Sequence, residues 1–231
     1  MFFDPLYLLF MGPALLLSIA AQIKVKSTFN KFSKIPSLRA YSGARAAKEI
    51  LGTHGLHDVQ IKLSEGFLSD HYNPTSKVLG LSNDVYQNNS LSSIGVAAHE
   101  AGHALQHADG YTPMRLRSTL VPMATLGSNL SWPLLIIGFI FSSAAMIHLG
   151  IIFFSAAVLF QIVTLPVEFN ASKRALAALT DTGILQGEEI FGARKVLSAA
   201  AMTYVAAAAV SVMQLIYFLL RSGILGGGSD D

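Results

Sequence analysis

The chain of 231 residues contains no cysteine. That excludes disulfide frameworks, cysteine-based zinc sites and a thiol nucleophile, so any metal ligands must be His, Asp or Glu. Charge is scarce too. Asp, Glu, Lys and Arg make up 13% of the residues against 52% that are apolar, and the mean hydropathy is positive, which is the composition of a membrane protein rather than a soluble domain. The net charge of +2 is small, and no basic stretch is interleaved with aromatics in a way that indicates nucleic acid. The chain shows no internal repeat.

The few charges are segregated. Residues 118–167 form a run of 50 without Asp, Glu, Lys or Arg, which as one helix would measure roughly 75 Å at 1.5 Å per residue. A bilayer core is about 30 Å thick, so the run predicts a hairpin of two spans, residues 120–146 and 149–167, turning near His148. Residues 5–23 and 196–220 give two more, before a Gly-rich acidic tail. The first span lacks a basic leading region and a small-residue cleavage site, and reads as a retained anchor. Gly12-Pro13 and Ser131-Trp132-Pro133 predict kinks. Fifteen of the sixteen Lys and Arg residues lie in 24–117 or 173–195, which places both segments in the cytoplasm and both termini outside.

The most informative run is His99-Glu100-Ala101-Gly102-His103. On a helix, histidines four apart share a face and can grip one metal ion, while Glu100, about 100° round from His99, can reach a water there without taking a coordination position. No proline interrupts Ser92 to His107, and Asn89 or Ser90 is placed to cap the helix. Position 106 is Gln and 109 is Asp, so the metzincin extension is absent and a third ligand must come from elsewhere. His107 continues the spacing, but a drift of about 80° over eight residues disfavours three adjacent ligands on one straight helix. His54, His57 and His148 read as solvated or interfacial.

Ahead of this helix, residues 43–51 have helical spacing. Residues 59–63 alternate with period two, and residues 78–81 follow a turn-rich stretch, which together read as a small β-hairpin or meander. Asp70-His71-Tyr72 is either turn chemistry or part of a site. Glu168 ends the uncharged run. A carboxylate so close to the hydrocarbon needs a partner, either a cation or the neighbouring Lys173 or Arg174.

With Asp70-His71-Tyr72 and Leu81-Ser82, the block from Gly95 to Gln106, and Leu165-Pro166-Val167-Glu168-Phe169, the chain resembles the bacterial YugP-type membrane zinc metallopeptidases over essentially its whole length. More distantly it resembles the HtpX-like gluzincins. The resemblance implies His99, His103 and Glu168 as Zn2+ ligands and Glu100 as general base. Many gluzincins carry Asp four residues after the third ligand, where this chain has Ser172, and Asn170 stands where the YugP-type pattern leads us to expect Asp.

The expected fold is a mainly α-helical multi-pass membrane protein of four spans with a small α+β zincin-like cytoplasmic metallopeptidase domain. Residues 1–23 form the first span, and 24–118 the cytoplasmic region with the zinc-binding helix. Residues 119–167 form the two-span hairpin, 168–195 a cytoplasmic segment supplying the third ligand, and 196–231 the fourth span and tail. The expected activity is zinc-dependent hydrolysis of peptide bonds near the cytoplasmic membrane surface of a bacterial cell, on a peptide or membrane-protein substrate, with the lipid bilayer as the other partner. His71, Tyr72 and Arg174 are candidates to stabilise an oxyanion, and the strand near residues 78–81 is a candidate edge for an extended substrate. Two readings compete. A non-catalytic metal-binding scaffold would have no need of Glu100, and a site-two-type intramembrane protease would need a longer apolar stretch than residues 94–105.

Overall fold

The computed structural model describes residues 4–66 and 69–224. The Gly-rich acidic tail lies outside the described residues. The described elements, in chain order, are α1 (Pro5–Phe32), α2 (Gly43–Thr53), β1 (Gln60–Ser64), β2 (His71–Asn73) and β3 (Val78–Ser82). They are followed by α3 (Asn83–Gln87), α4 (Leu91–Ala108), α5 (Thr112–Ile140), α6 (Ala144–Asp181) and α7 (Glu188–Arg221). The chain divides into two units, one of Met1–Ala20, Arg115–Pro166 and Thr203–Asp231, the other of Ala21–Met114 and Val167–Met202.

Four helices, α1, α5, α6 and α7, are long and apolar enough to cross a membrane. Pro13 lies inside α1, Pro122 and Pro133 inside α5, and Pro166 inside α6. The break between α5 and α6 corrects the sequence reading. It falls at residues 141–143, where Ser142 has φ 52°, and His148 lies within α6. An apolar turn gives hydropathy no signal, whereas Ser142-Ser143 supplies the polar residues a tight connection favours. In the first unit Leu135, Ile151, Phe154, Val158, Tyr217 and Phe218 form an apolar cluster. Trp132 and Phe154 both meet Phe218 edge-on, with centroids 5.8 and 5.4 Å apart.

The second unit is built around α4. Ser90 caps this helix, its hydroxyl accepting from the Ser93 N–H at 3.1 Å. Its buried residues are mostly small: Ala97, Ala98, Ala101 and Ala104 are at most 1% exposed, which lets neighbouring backbones come close. Around them pack Ala46, Ala47 and Ile50 of α2, Leu79 and Leu81 of β3, and Ala175, Ala178 and Leu179 of α6. α2 matches the expected 43–51 helix with one further half-turn, and Ser42 caps it through the Arg45 N–H.

The sheet differs from the expected hairpin. Its order is β1-β3-β2, with β1 parallel to β3 and β2 antiparallel to it. β2 lies within the stretch read as turn, because Asp70 before it accepts from the N–H and hydroxyl of Ser82 at 2.8 and 3.1 Å, tying the start of β2 to the end of β3. β3 is therefore central and paired on both sides, so it is not the edge the sequence led us to expect. Among the described residues the edges are β1 and β2.

Candidate metal centre

α4 presents His99 and His103 on one face, and α6 presents Glu168 opposite them. What allows this is Gly102, where an added Cβ would lie 2.5 Å from the Ala171 carbonyl oxygen of α6. The two helix backbones touch at that point, one turn beyond Glu168. Glu168 Oε2 then lies 3.1 Å from His99 Nε2 and 3.6 Å from His103 Nε2, and one ligand atom from each of the three residues falls within 4.8 Å of the others. Among the described residues no other group of three or more His, Asp or Glu converges in this way.

The Glu168 side chain is only 2% exposed, and a buried carboxylate must be paired. The two imidazoles do this in the ion-free chain. Burial alone would push His103 below its ordinary value. The adjacent Glu168, the charge of Glu100 and the hydrogen bond with Gln106 outweigh that and hold it above 6.5. Two nitrogens and one carboxylate oxygen drawn together in a buried pocket are the donor set zinc prefers, and three protein ligands leave one position open. The residues present therefore fit a zinc ion.

Glu100 is buried beside them, and its carboxylate makes no hydrogen bond or ion pair with a described residue. The outer partners of the histidines are neutral. The Ser172 hydroxyl lies 3.1 Å from His99 Nδ1. Gln106 Oε1 lies 3.0 Å from His103 Nδ1. The sequence reading gave Gln106 no role. The signal that would have found it is a polar residue three positions after a histidine, on the same face of an otherwise apolar helix.

The remaining candidates separate. His107 is turned to Tyr72, whose hydroxyl lies 2.9 Å from its Nδ1, and it does not join the group of three. His71 lies over Gly80, with Nδ1 2.8 Å from the Ser69 carbonyl oxygen. Arg174 donates to Asn170 Oδ1 and pairs with Asp109.

The family described as "Putative neutral zinc metallopeptidase" matches residues 7–223. A protein of Bacillus subtilis (strain 168) described as "Putative membrane protease YugP" is 48% identical over 207 residues, covering 90% of this chain and 92% of that protein. No solved structure matches. With matches over nearly its full length and four apolar helices of spanning length, the chain belongs to this YugP-type family of membrane neutral zinc metallopeptidases.

Proposed function

We propose that the protein is a membrane-anchored zinc endopeptidase that hydrolyses peptide bonds near the cytoplasmic membrane surface. The observation that carries this reading is the convergence of His99 Nε2 and His103 Nε2 on Glu168 Oε2, with the unpaired Glu100 carboxylate on the same helix. His99, His103 and Glu168 would hold the ion. When bound, zinc supplies Lewis-acid polarisation of the scissile carbonyl and acidifies water.

Glu100 does the proton work. It takes a proton from the attacking water as the new C–O bond forms, and returns it to the amine nitrogen as the C–N bond breaks. With no hydrogen bond or ion pair to a described residue, the Glu100 carboxylate is available for both steps. His99 and His103 contribute orientation, each fixed at Nδ1 by Ser172 or Gln106. An extended substrate held by backbone pairing would lie along β1 or β2, the two open edges, and Tyr72 on β2 already reaches α4 through His107.

The charge segregation supports the cytoplasmic side. Fifteen of the sixteen Lys and Arg residues lie in 24–117 or 173–195, and Glu168 is the first charged residue after the uncharged run. The test is cleavage of an unfolded protein substrate by the purified full chain with zinc, after chelation, and after zinc is restored. Zinc-restored cleavage that vanishes in Glu100→Gln supports the reading. Equal cleavage by the two proteins overturns it.

A further inference from the structure

The charged flanks of two apolar runs meet in one cleft. Lys24 is the first charged residue after residues 5–23, and Lys195 is the last before residues 196–220. Both line a cleft between α1 and α7, together with Lys31 and Arg194. The cleft has a volume of about 540 Å3, and no Asp or Glu lines it. All of its lining residues belong to the second unit.

The spacing is that of one helix face on each side. Lys24, Thr28 and Lys31 fall at i, i+4 and i+7 on α1, and Lys195, Ser198 and Met202 at i, i+3 and i+7 on α7. None of the four cations makes an ion pair with a described residue. Lys195 Nζ lies 4.1 Å from the Phe191 ring centroid and Lys31 Nζ 5.7 Å from that of Phe32, contacts that leave both charges uncompensated. Thr28 and Ser198 add hydroxyls with no hydrogen-bond partner among the described residues. Acids are at hand on the same helix, since Glu188 and Glu189 stand in the first turn of α7. Neither lines the cleft, and Glu189 accepts instead from the Leu38 N–H at 2.7 Å.

Four like charges around one space repel one another, and an anion between them relieves all four. Phosphate suits this set, because ammonium and guanidinium groups only donate and the phosphate oxygens accept. The level of the cleft decides where the phosphate comes from. Its cations stand at the boundary of two apolar runs of spanning length, where phospholipid headgroups lie. Beside them Ile23 is 64% and Met202 42% exposed, apolar surface on which an acyl chain can rest. We propose that this cleft binds the phosphate headgroup of an anionic phospholipid, with Lys24, Lys31, Arg194 and Lys195 as its cations and Thr28 and Ser198 as hydroxyl donors. A zwitterionic lipid is disfavoured because it brings a cation of its own. A soluble phosphate lacks the chain that covers Ile23 and Met202. The site is independent of the zinc reading.

The experiment offers the purified full chain an equal mixture of phosphatidylglycerol and phosphatidylcholine with matched acyl chains, and reads the lipids it retains by native mass spectrometry. The wild type is expected to retain phosphatidylglycerol in preference. Lys24→Gln with Lys195→Gln is expected to lower that preference roughly 10- to 30-fold, the loss for two basic residues at a headgroup. Lys26 and Lys34 belong to the same basic segment but do not line the cleft. Lys26→Gln with Lys34→Gln therefore removes the same charge and should change the preference by less than about twofold, since charges outside contact are screened.

No preference for phosphatidylglycerol in the wild type would overturn the proposal. So would equal losses in the two double variants, which would make the attraction a general effect of basic charge. Inorganic phosphate and glycerol 3-phosphate, each added at the concentration of the lipid, are expected to leave the lipid bound. Displacement by either would make the cleft a site for a soluble anion instead. Should the Lys24 and Lys195 double variant not fold, Ser198→Phe tests the same cleft by filling it without changing charge. Reduced retention of phosphatidylglycerol is then expected, and unchanged retention would overturn the assignment.

Discussion

Gly102 and Ala171 touch backbone to backbone: a Cβ on Gly102 would lie 2.5 Å from the Ala171 carbonyl oxygen. The glycine inside the motif is thus what lets α4 approach α6 closely enough for Glu168 to reach both histidines.

Gly102→Ala is expected to force the helices apart, costing about 1–3 kcal/mol of stability as an overpacked contact and weakening zinc binding. Gly95→Ala, on the same helix, would place its Cβ 3.7 Å from Ala193 Cβ, an ordinary contact, and should leave both nearly unchanged. Thermal unfolding and zinc competition on the two variants check this. Equal behaviour would show that the approach at Gly102 does not set the site.

Glu100→Gln removes a base and no ligand. It should retain zinc at the wild-type stoichiometry while lowering cleavage by several orders of magnitude, as determined by metal analysis and peptide hydrolysis on the same preparation. Loss of zinc in this variant would make Glu100 a ligand instead.

His99→Ala, His103→Ala and Glu168→Ala should each reduce bound zinc. Of these, Glu168→Ala is the most discriminating, because it also leaves two imidazoles without the carboxylate that pairs them. Full zinc occupancy in Glu168→Ala would dismiss the three-residue site.

Zinc binding should strengthen with rising pH. The His103 value in the folded, ion-free chain is raised above 6.5. Its stabilisation of the ion-free fold is therefore complete below the unfolded value and is lost as pH rises through the folded one. A metal needs the bare imidazole, so affinity should climb through that raised value and level off above it. Competition titrations from about pH 6 to about pH 9 span the imidazole range. A flat profile would argue against His103 as a ligand.

The proposed topology can be read with single cysteines, since the chain has none of its own. Glu65→Cys should react with a membrane-impermeant thiol reagent only from the cytoplasmic side, and Phe141→Cys only from outside. The opposite labelling inverts the orientation, and same-side labelling makes the number of crossings between them even.

What was legible in the sequence depended on how local the cause was. The helix carrying His99 and His103 was readable because spacing, absence of proline and a serine cap all lie within Ser90 to His107. The four apolar helices were readable because charge is excluded from long runs. The turn at residues 141–143 was not, because its neighbours are as apolar as the helices. The pairing of β1 with β3 was not, because period-two alternation marks a strand but says nothing of its partner. Gln106 was missed because its role depends on Val167 and Asn170, about sixty positions away in sequence.

The central place of β3 also bears on how the chain is assembled. β1 is made first and has no partner, and β2 follows and does not pair with it. Only when Val78–Ser82 is complete can both ladders close. β2 and β3 form the local pairing, whereas β1 must close a loop of higher contact order. Contact order thus predicts that β1 joins last, on a strand whose final residue, Ser82, immediately precedes the helical segment leading to the two histidines.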